Sequence, residues 1–556
     1  MKGQPYRVPP ESLSWGNRVL FGTLTAAFVV LAMLAFSLAR PREASASLNV
    51  LFDTSPYSGD VWLQIQDPNA GTSADLQATY DNGLSPITYG THQTTDNPPQ
   101  TVTNLMSNPV KLSDIGTGGL NITRSISCVF YLFYDDPSAG TNYLTTAPSV
   151  FTTLQRFQQF ELTMNGGSGD QGNLTNIDAF TAPLSIKSYQ SNPLLNPAEP
   201  VLQSTGYGNW SANRIAGLLV SAGASGAAVV RGTSGNLIRY IGPSVFDPGN
   251  AQSPNPWPSF LPYAQSLVGT TTTLQRANGF GAGNATWASS QTYTFGIDMQ
   301  ATVASDGTIT VNGKLTASVI NPGTVVSPNP ALPPDGAWTN ASITLSPTTG
   351  TNGINDYNAA IYGQTGSPVA DPQNPGKWIL NNTSITLGPD WENFQTFCID
   401  TLGDPSSPEN PGTNASLQDL SAYLTTLNMA IGELTTGLLG GYFGSTYPVT
   451  FQGTPTTIGA LPSQDWWQLD PLVGFSQIQT NPNAYNRYAN VIWVTSNNTV
   501  YGVPYSDRFG SGPLVNTVLA PDGQTSVGYW VVGVAAPVTA PAFPSAAAAP
   551  LLLLDK

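Results

Sequence analysis

Glu161 and Asp178 are the residues whose types and placement could do chemistry together. They lie in the stretch 157–186, FQQFELTMNGGSGDQGNLTNIDAFTAPLSI, which reads as two strands and a turn. Before the turn, Phe160, Leu162 and Met164 alternate with Glu161, Thr163 and Asn165. Period two therefore sends the apolar set to a core and leaves a carboxylate, a hydroxyl and an amide on the other face. Gly166, Gly167, Ser168, Gly169 and Gly172 supply the turn, because glycine tolerates the positive φ that a chain reversal uses. A turn centred near Gly169 predicts that Glu161 faces Asp178 across the hairpin. Paired carboxylates hydrolyse glycosidic bonds, one protonating the leaving oxygen and the other activating water or attacking directly. The structural alternative is a solvated sheet face with two acids among Thr and Asn and no chemistry.

The rest of the composition narrows the options. The chain has a single histidine, His92, in the polar run Tyr89-Gly90-Thr91-His92-Gln93, and no segment resembles a nucleophile elbow. A Ser-His-Asp triad or a His-rich metal site would need His92 at its centre. Proton transfer therefore falls to carboxylates, and neither a cofactor nor a metal is expected. Cys128 and Cys398 lack CxxC spacing and are either one disulfide or two buried thiols.

The hairpin also resembles a known active site. Glu161-Leu162-Thr163-Met164-Asn165, followed by Thr175-Asn176-Ile177-Asp178-Ala179-Phe180 and Pro183, is similar to the catalytic hairpin of glycoside hydrolase family 64, the β-1,3-glucanases of the thaumatin-like superfamily. Tyr485-Asn486-Arg487-Tyr488-Ala489 and Tyr501-Gly502-Val503-Pro504-Tyr505-Ser506-Asp507 are similar to that family's closing segment. Leu237 to Pro243 and a helix after Asn414 fall between them in the family's order. The resemblance implies a β-1,3-glucan as partner and an inverting mechanism with Glu161 as general acid and Asp178 as general base. Thr163, Asn165, Thr175 and Asp507 would bind the sugar. The pattern departs from the family at Gly169-Asp170-Gln171-Gly172, where the family carries an aromatic, and at the closing acidic pair, reduced to Ser506-Asp507. Asp170, in a turn read as mobile, is expected to take no part. Directly opposed strand neighbours also stand closer than the about 6.5–9.5 Å an inverting pair needs, so the register must be offset or twisted. The alternative function is a catalytically silent thaumatin-like carbohydrate-binding or surface assembly protein.

Export is expected from the start of the chain. Lys2, Arg7 and Arg18 precede the apolar run Val19 to Ala39, and Ala44-Ser45-Ala46 supplies the small residues of a cleavage site. Cleavage before Ser47 is favoured over an anchor spanning 19–39, which the Arg40 and Arg42 pair keeps open. Either way the remainder lies outside the cytoplasm, in the extracellular medium or at the cell surface. The first 47 residues hold five of the 18 basic and two of the 33 acidic side chains, leaving 13 against 31. So acidic a chain is not built to replace phosphate counterions, and nucleic acid is excluded as a partner. A neutral polysaccharide is compatible with it.

The fold class expected is mainly β with an α+β part: a thaumatin-like β-sandwich or barrel domain and a mixed α/β domain flanking a wide cleft. Residues 48–200 read as the first part of the β domain, with strands at Val61 to Ile65 and Ser127 to Tyr134, the latter continuous enough to be central. Residues 201–483 read as the mixed domain. It holds strands at Tyr293–Met299 and Ile309–Val319 around an Asp306-Gly307 turn. Its strong helix runs from a cap at Asn414 or Ser416 to Gly440-Gly441, with Leu417, Leu420, Leu424, Leu427, Ile431, Leu434 and Leu438 as an amphipathic stripe. Residues 484–535 return to the β domain through strands at Ala489–Thr495, Val500–Tyr505 and Val527–Val534, and 536–556 form an Ala- and Pro-rich tail. Trp257, Trp391, Trp466 and Trp467 could serve as sugar platforms, but large rings usually fill cores and none is assigned to the site.

Overall fold

The computed structural model describes residues 47–539 outside a set of internal segments, chiefly 68–75, 81–88, 94–100, 138–147, 247–255, 277–284, 287–291, 322–337, 348–355, 363–367, 371–377, 403–420, 470–485 and 503–513. The expected export signal, the expected tail beyond residue 539 and Asp507 lie outside the described residues, while Val538 at the start of that tail is buried with its amide on the Thr181 carbonyl at 2.9 Å. Among the described residues no helix is long and apolar enough to cross a membrane.

The strands that build and brace the site are, in chain order, β1 (Leu48–Asp53), β2 (Trp62–Gln66), β3 (Leu120–Phe133), β4 (Phe157–Met164), β5 (Gln171–Leu174), β6 (Ala179–Phe180), β7 (Leu184–Tyr189), β8 (Gln203–Gly206), β9 (Leu237–Ile241), β10 (Leu514–Asn516) and β11 (Tyr529–Val534). The protein is mainly β, with helices. One sheet runs in the order β8, β7, β11, β1, β3, β2, followed by Thr101–Met106 and Tyr89–Gln93, the strand that carries His92. The C-terminal β11 enters between β1, which it pairs in parallel, and β7. Strand β4 pairs with β3, β5 with β4, and β10 closes on β5. As the sequence predicts, the β3 segment is central: it carries β1 near its start and β2 and β4 toward its end.

Alternation sorts the two faces of this sheet. Leu63, Ile65, Phe130, Leu132, Phe160, Leu162 and Met164 are wholly buried in the main core, where Phe130 stacks on Phe160 at 4.8 Å. Each such side chain contributes about 1.5–3 kcal/mol through burial. The opposite face carries a second, smaller cluster of Tyr131, Phe133 and Phe157 packed with Trp62, Val129 and Val150.

A separate antiparallel sheet is formed by Thr271–Arg276, Thr292–Val303, Ile309–Asn321, Ala341–Leu345 and Ile385–Leu387. The expected hairpin stands here. The Asp306 carboxylate accepts the Thr308 amide, and Gly307 adopts a φ of 88°. Helices α1 (Ala212–Ser221), α2 (Pro389–Leu402), α3 (Ser421–Leu439) and α4 (Arg487–Ser496) complete the outline.

Two expectations change. The second half of α3 is not amphipathic: every residue from Ile431 to Gly440 is buried, including Glu433, whose carboxylate pairs with Arg276 at 3.2 Å. There the Leu stripe is one part of a surface covered on all sides, while Leu424, Thr425 and Asn428 nearer the start are half-buried. The start expected for it, with Leu417 and Leu420, lies outside the described residues. Ala489–Thr495, expected as a strand, belongs to α4. The Asn486 side chain caps that helix by accepting the Ala489 amide at 2.9 Å, Asn497 ends it with a φ of 53°, and Tyr488, Ile492 and Trp493 are buried at helical spacing. Capping and tertiary burial override the β-propensity of Val491, Ile492, Val494 and Thr495. Of the strand expected at Val500–Tyr505, residues 503–505 lie outside the described residues, and Tyr501 makes a parallel bridge to Thr175. Cys128 and Cys398 are both buried free thiols, Cys128 on β3 and Cys398 on α2.

Candidate active site

Glu161 sits near the middle of β4, 6% exposed, on the face away from the main core. Its neighbours across the sheet are Val129 on β3 and Asn173 on β5. The expectation that Glu161 faces Asp178 is therefore wrong. The β4–β5 pairing of Leu162 with Gly172 and Phe160 with Leu174 centres the turn nearer Gly167 than Gly169. Asp170 sets this register. Its carboxylate accepts the amides of Asn165 and of Gly167, the latter at 3.0 Å, while its own amide donates to the Gly167 carbonyl. A carboxylate that satisfies two backbone donors fixes a turn that glycines alone would leave free. Asp170 thus organises the hairpin and is not a bystander. Thr517, wholly buried, locks both sides of this turn by donating its hydroxyl to the Thr163 carbonyl at 2.9 Å and its amide to the Asp170 carbonyl at 3.0 Å.

Gly172 is required where β5 passes beneath β11, because a Cβ there would strike the Glu161 carbonyl and the Trp530 ring. The indole of Trp530 donates to the Asn516 carbonyl at 3.0 Å, so the returning strands pin β5 from behind.

Asp178, itself exposed, lies beyond β5 in a largely buried loop between Thr175 and Thr181 that ends in β6. Three contacts hold that loop. Gln158, on the same strand as Glu161 and 5% exposed, accepts the Thr181 amide at 3.0 Å and donates to the Thr175 carbonyl at 3.4 Å, clipping both feet of the loop. Asn176 is the hub: its amide donates to the Tyr501 carbonyl at 2.8 Å, its side chain donates to Ala179 and accepts Tyr207, and its carbonyl accepts the Tyr488 hydroxyl. The Gly242 amide donates to the Asp178 carbonyl at 2.8 Å, a close approach that only glycine allows because a Cβ would meet the Ile177 carbonyl. Burial pushes the Tyr488 phenol well up, and the Asp178 charge adds to that. Tyr488 and Tyr501, far from the hairpin in sequence, thus meet it in space.

The other predicted site residues divide. The Thr163 hydroxyl oxygen accepts the Ser127 amide at 3.0 Å and leaves its own proton to donate. Asn165 is exposed at the turn, and Thr175 is half-buried at its bridge to Tyr501. Trp257, Trp391 and Trp466 are core residues, 4%, 0% and 0% exposed. Half-buried Trp62, under the Lys111 ammonium at 5.6 Å, is the tryptophan on the site's own face.

Sequence reasoning missed several residues. Asn173 followed from the same alternation once the register was known. It is 5% exposed and its Oδ1 has no hydrogen-bond partner. Ser127 carried no signal at all. It occupies a bulge in β3, between the Ser125–Met164 and Cys128–Leu162 pairs, with a left-handed φ of 53°, 7% exposure and a hydroxyl without a partner. An unmet buried polar atom costs about 1–3 kcal/mol. Arg239 on β9 is wholly buried, its guanidinium 4.3 Å from the Phe157 ring and donating to the carbonyls of Ser149, Val150 and Gln155. Burial lowers it to about 9, which leaves it charged at neutral pH.

The chain is thus a mainly β protein with a buried glutamate on one sheet face and an exposed aspartate in a braced segment that follows the neighbouring strand. No protein-family model matches it, and no curated protein does. Among solved structures it is similar to the crystal structure of a laminaripentaose-producing β-1,3-glucanase in complex with laminaritetraose, at 12% identity and a TM-score of 0.40 over 89% of this chain and 99% of that one. It is also similar to a β-1,3-glucanase domain (GH64) from Clostridium beijerinckii, at 12% identity and a TM-score of 0.39 over 90% and 100% of the two chains.

Proposed function

We propose that this protein is an exported hydrolase that cleaves β-1,3-glucan by inversion, with Glu161 as general acid and Asp178 as general base. The observation that carries the reading is the Gln158 clip, which ties the loop bearing Asp178 to the strand bearing Glu161. Asp178 is not directly opposed to Glu161, which frees the pair from the short spacing of strand neighbours, and the proposed mechanism places a water between acid and base. Glu161 would protonate the glycosidic oxygen, and Asp178 would take a proton from water attacking the opposite side of the sugar. Thr163 donates its free proton to a sugar hydroxyl, with Asn165 beyond it toward the turn and Thr175 on the other side of Glu161, and half-buried Trp62 on the same face offers a ring to a further sugar unit.

The test is cleavage of a linear β-1,3-glucan by wild type and Glu161→Gln, read as reducing ends, with binding measured in parallel. Glu161→Gln keeps the shape and removes the transferable proton, so the rate should fall by about 10²–10⁴ while binding persists. Unchanged cleavage would rule out the acid assignment. A wild type that binds glucan without cleaving it would establish a silent carbohydrate-binding module in place of an enzyme.

A further inference from the structure

Asn173 on β5 and Ser127 on β3, two residues before Glu161's other neighbour Val129, share an oddity. Each is more than nine-tenths buried and each keeps a polar side-chain atom with no partner, Oγ in Ser127 and Oδ1 in Asn173. Asn173 stands directly across from Glu161. Ser127 lies in the bulge opposite Thr163, whose hydroxyl takes its amide, and it is the single non-glycine residue with a left-handed backbone among the described residues of β3, β4 and β5. Backbone strain and unmet polar atoms both oppose folding, and they persist where a site is arranged in advance for something else.

We propose that Ser127 and Asn173 are ligand-binding residues that complete a polar subsite around Glu161, with their buried atoms satisfied by the hydroxyls of a neutral carbohydrate. The inference rests on the glucan-hydrolase reading and deepens it. Its chemistry follows from what each atom offers. Asn173 Oδ1 can only accept, the Thr163 hydroxyl has its proton to give, and the Ser127 hydroxyl can do both. A ligand that complements this set needs adjacent groups that both donate and accept, as sugar hydroxyls do. An anion is disfavoured, because it would face the Asn173 oxygen and the Glu161 carboxylate together.

Ser127→Gly is the discriminating variant, since glycine adopts a φ of 53° without strain and lacks the hydroxyl. It should leave the Tm unchanged or raise it, while weakening affinity for a β-1,3-linked glucose tetramer by about 5–30-fold. Asn173→Leu, which removes the unmet oxygen at similar volume, should behave alike. A lowered Tm in Ser127→Gly would show the hydroxyl to be structural and overturn the proposal, whatever the activity. Wild type that binds the tetramer, with Ser127→Gly binding it equally, would overturn this proposal and leave the hydrolase reading standing. Wild type that neither binds nor cleaves β-1,3-glucan would overturn both.

Discussion

The side-chain oxygen of Gln158 accepts the backbone amide of Thr181 at 3.0 Å, and its amide nitrogen reaches the Thr175 carbonyl at 3.4 Å. One side chain on the strand of Glu161 therefore sets both feet of the loop of Asp178. Gln158→Leu would leave the wholly buried Thr181 amide unmet, at a cost of about 1–3 kcal/mol, and would loosen both feet of a loop still tied through Asn176 and Gly242. Urea unfolding should report that loss. Glucan cleavage at saturation should fall by about 10²-fold in the molecules that remain folded, the scale of a misplaced catalytic group. Full kcat in a destabilised variant would mean that the loop holds its place without the clip.

Asp170 makes a different prediction. Asp170→Ala removes the acceptor of the Asn165 and Gly167 amides and should cost about 1–2 kcal/mol in urea titrations. The turn stays tied through the Thr517 amide and hydroxyl, so β5 keeps its place and kcat should change by less than about tenfold, with KM rising as Asn165 loosens. A collapse of kcat matching that of Glu161→Gln would transfer the acid or base role to Asp170.

What the sequence could show here is set by periodicity. Phe160, Leu162 and Met164 declare their face because alternate strand residues must point the same way, and all three are wholly buried. The pairing of Glu161 was not readable. A Gly-rich turn can close in several registers, and the choice was made by backbone amides donating to the Asp170 carboxylate and by β10 arriving from far along the chain. Helix α4 was misread because its β-branched run advertises a strand, while the Asn486 cap and the burial of Tyr488 decide otherwise. The left-handed Ser127 follows from no local signal; tertiary structure alone places it at the bend of β3.

The two cysteines give a check on the packing of both sheets. Cys128 and Cys398 are wholly buried free thiols, and burial pushes the Cys398 thiol well above its ordinary value. Neither should react with iodoacetamide in native protein, since the thiolate is the nucleophile and neither sulfur is accessible. Denaturation without reductant should expose both. Mass spectrometry then reads the outcome: alkylation at both positions agrees with free thiols, and no alkylation until reduction would reveal a disulfide.

The register of the hairpin finally bears on stereochemistry. Carboxylates on directly opposed strand residues have Cβ atoms about 4.5–5.5 Å apart, close to the about 5–5.5 Å between carboxyl groups at which a second carboxylate attacks the sugar itself. Asn173 takes the position opposite Glu161, and Asp178 lies further along, past the bridge between Thr175 and Tyr501. That offset favours the wider gap, about 6.5–9.5 Å, that holds a water for single displacement. Cleavage of a β-linked glucan should then release a new reducing end in the α configuration, seen by proton NMR before mutarotation. The rates of Glu161→Gln and Asp178→Asn should not multiply in the double variant, because acid and base act in one step. An initial β product would require a covalent intermediate and would remove Asp178 from the role of base.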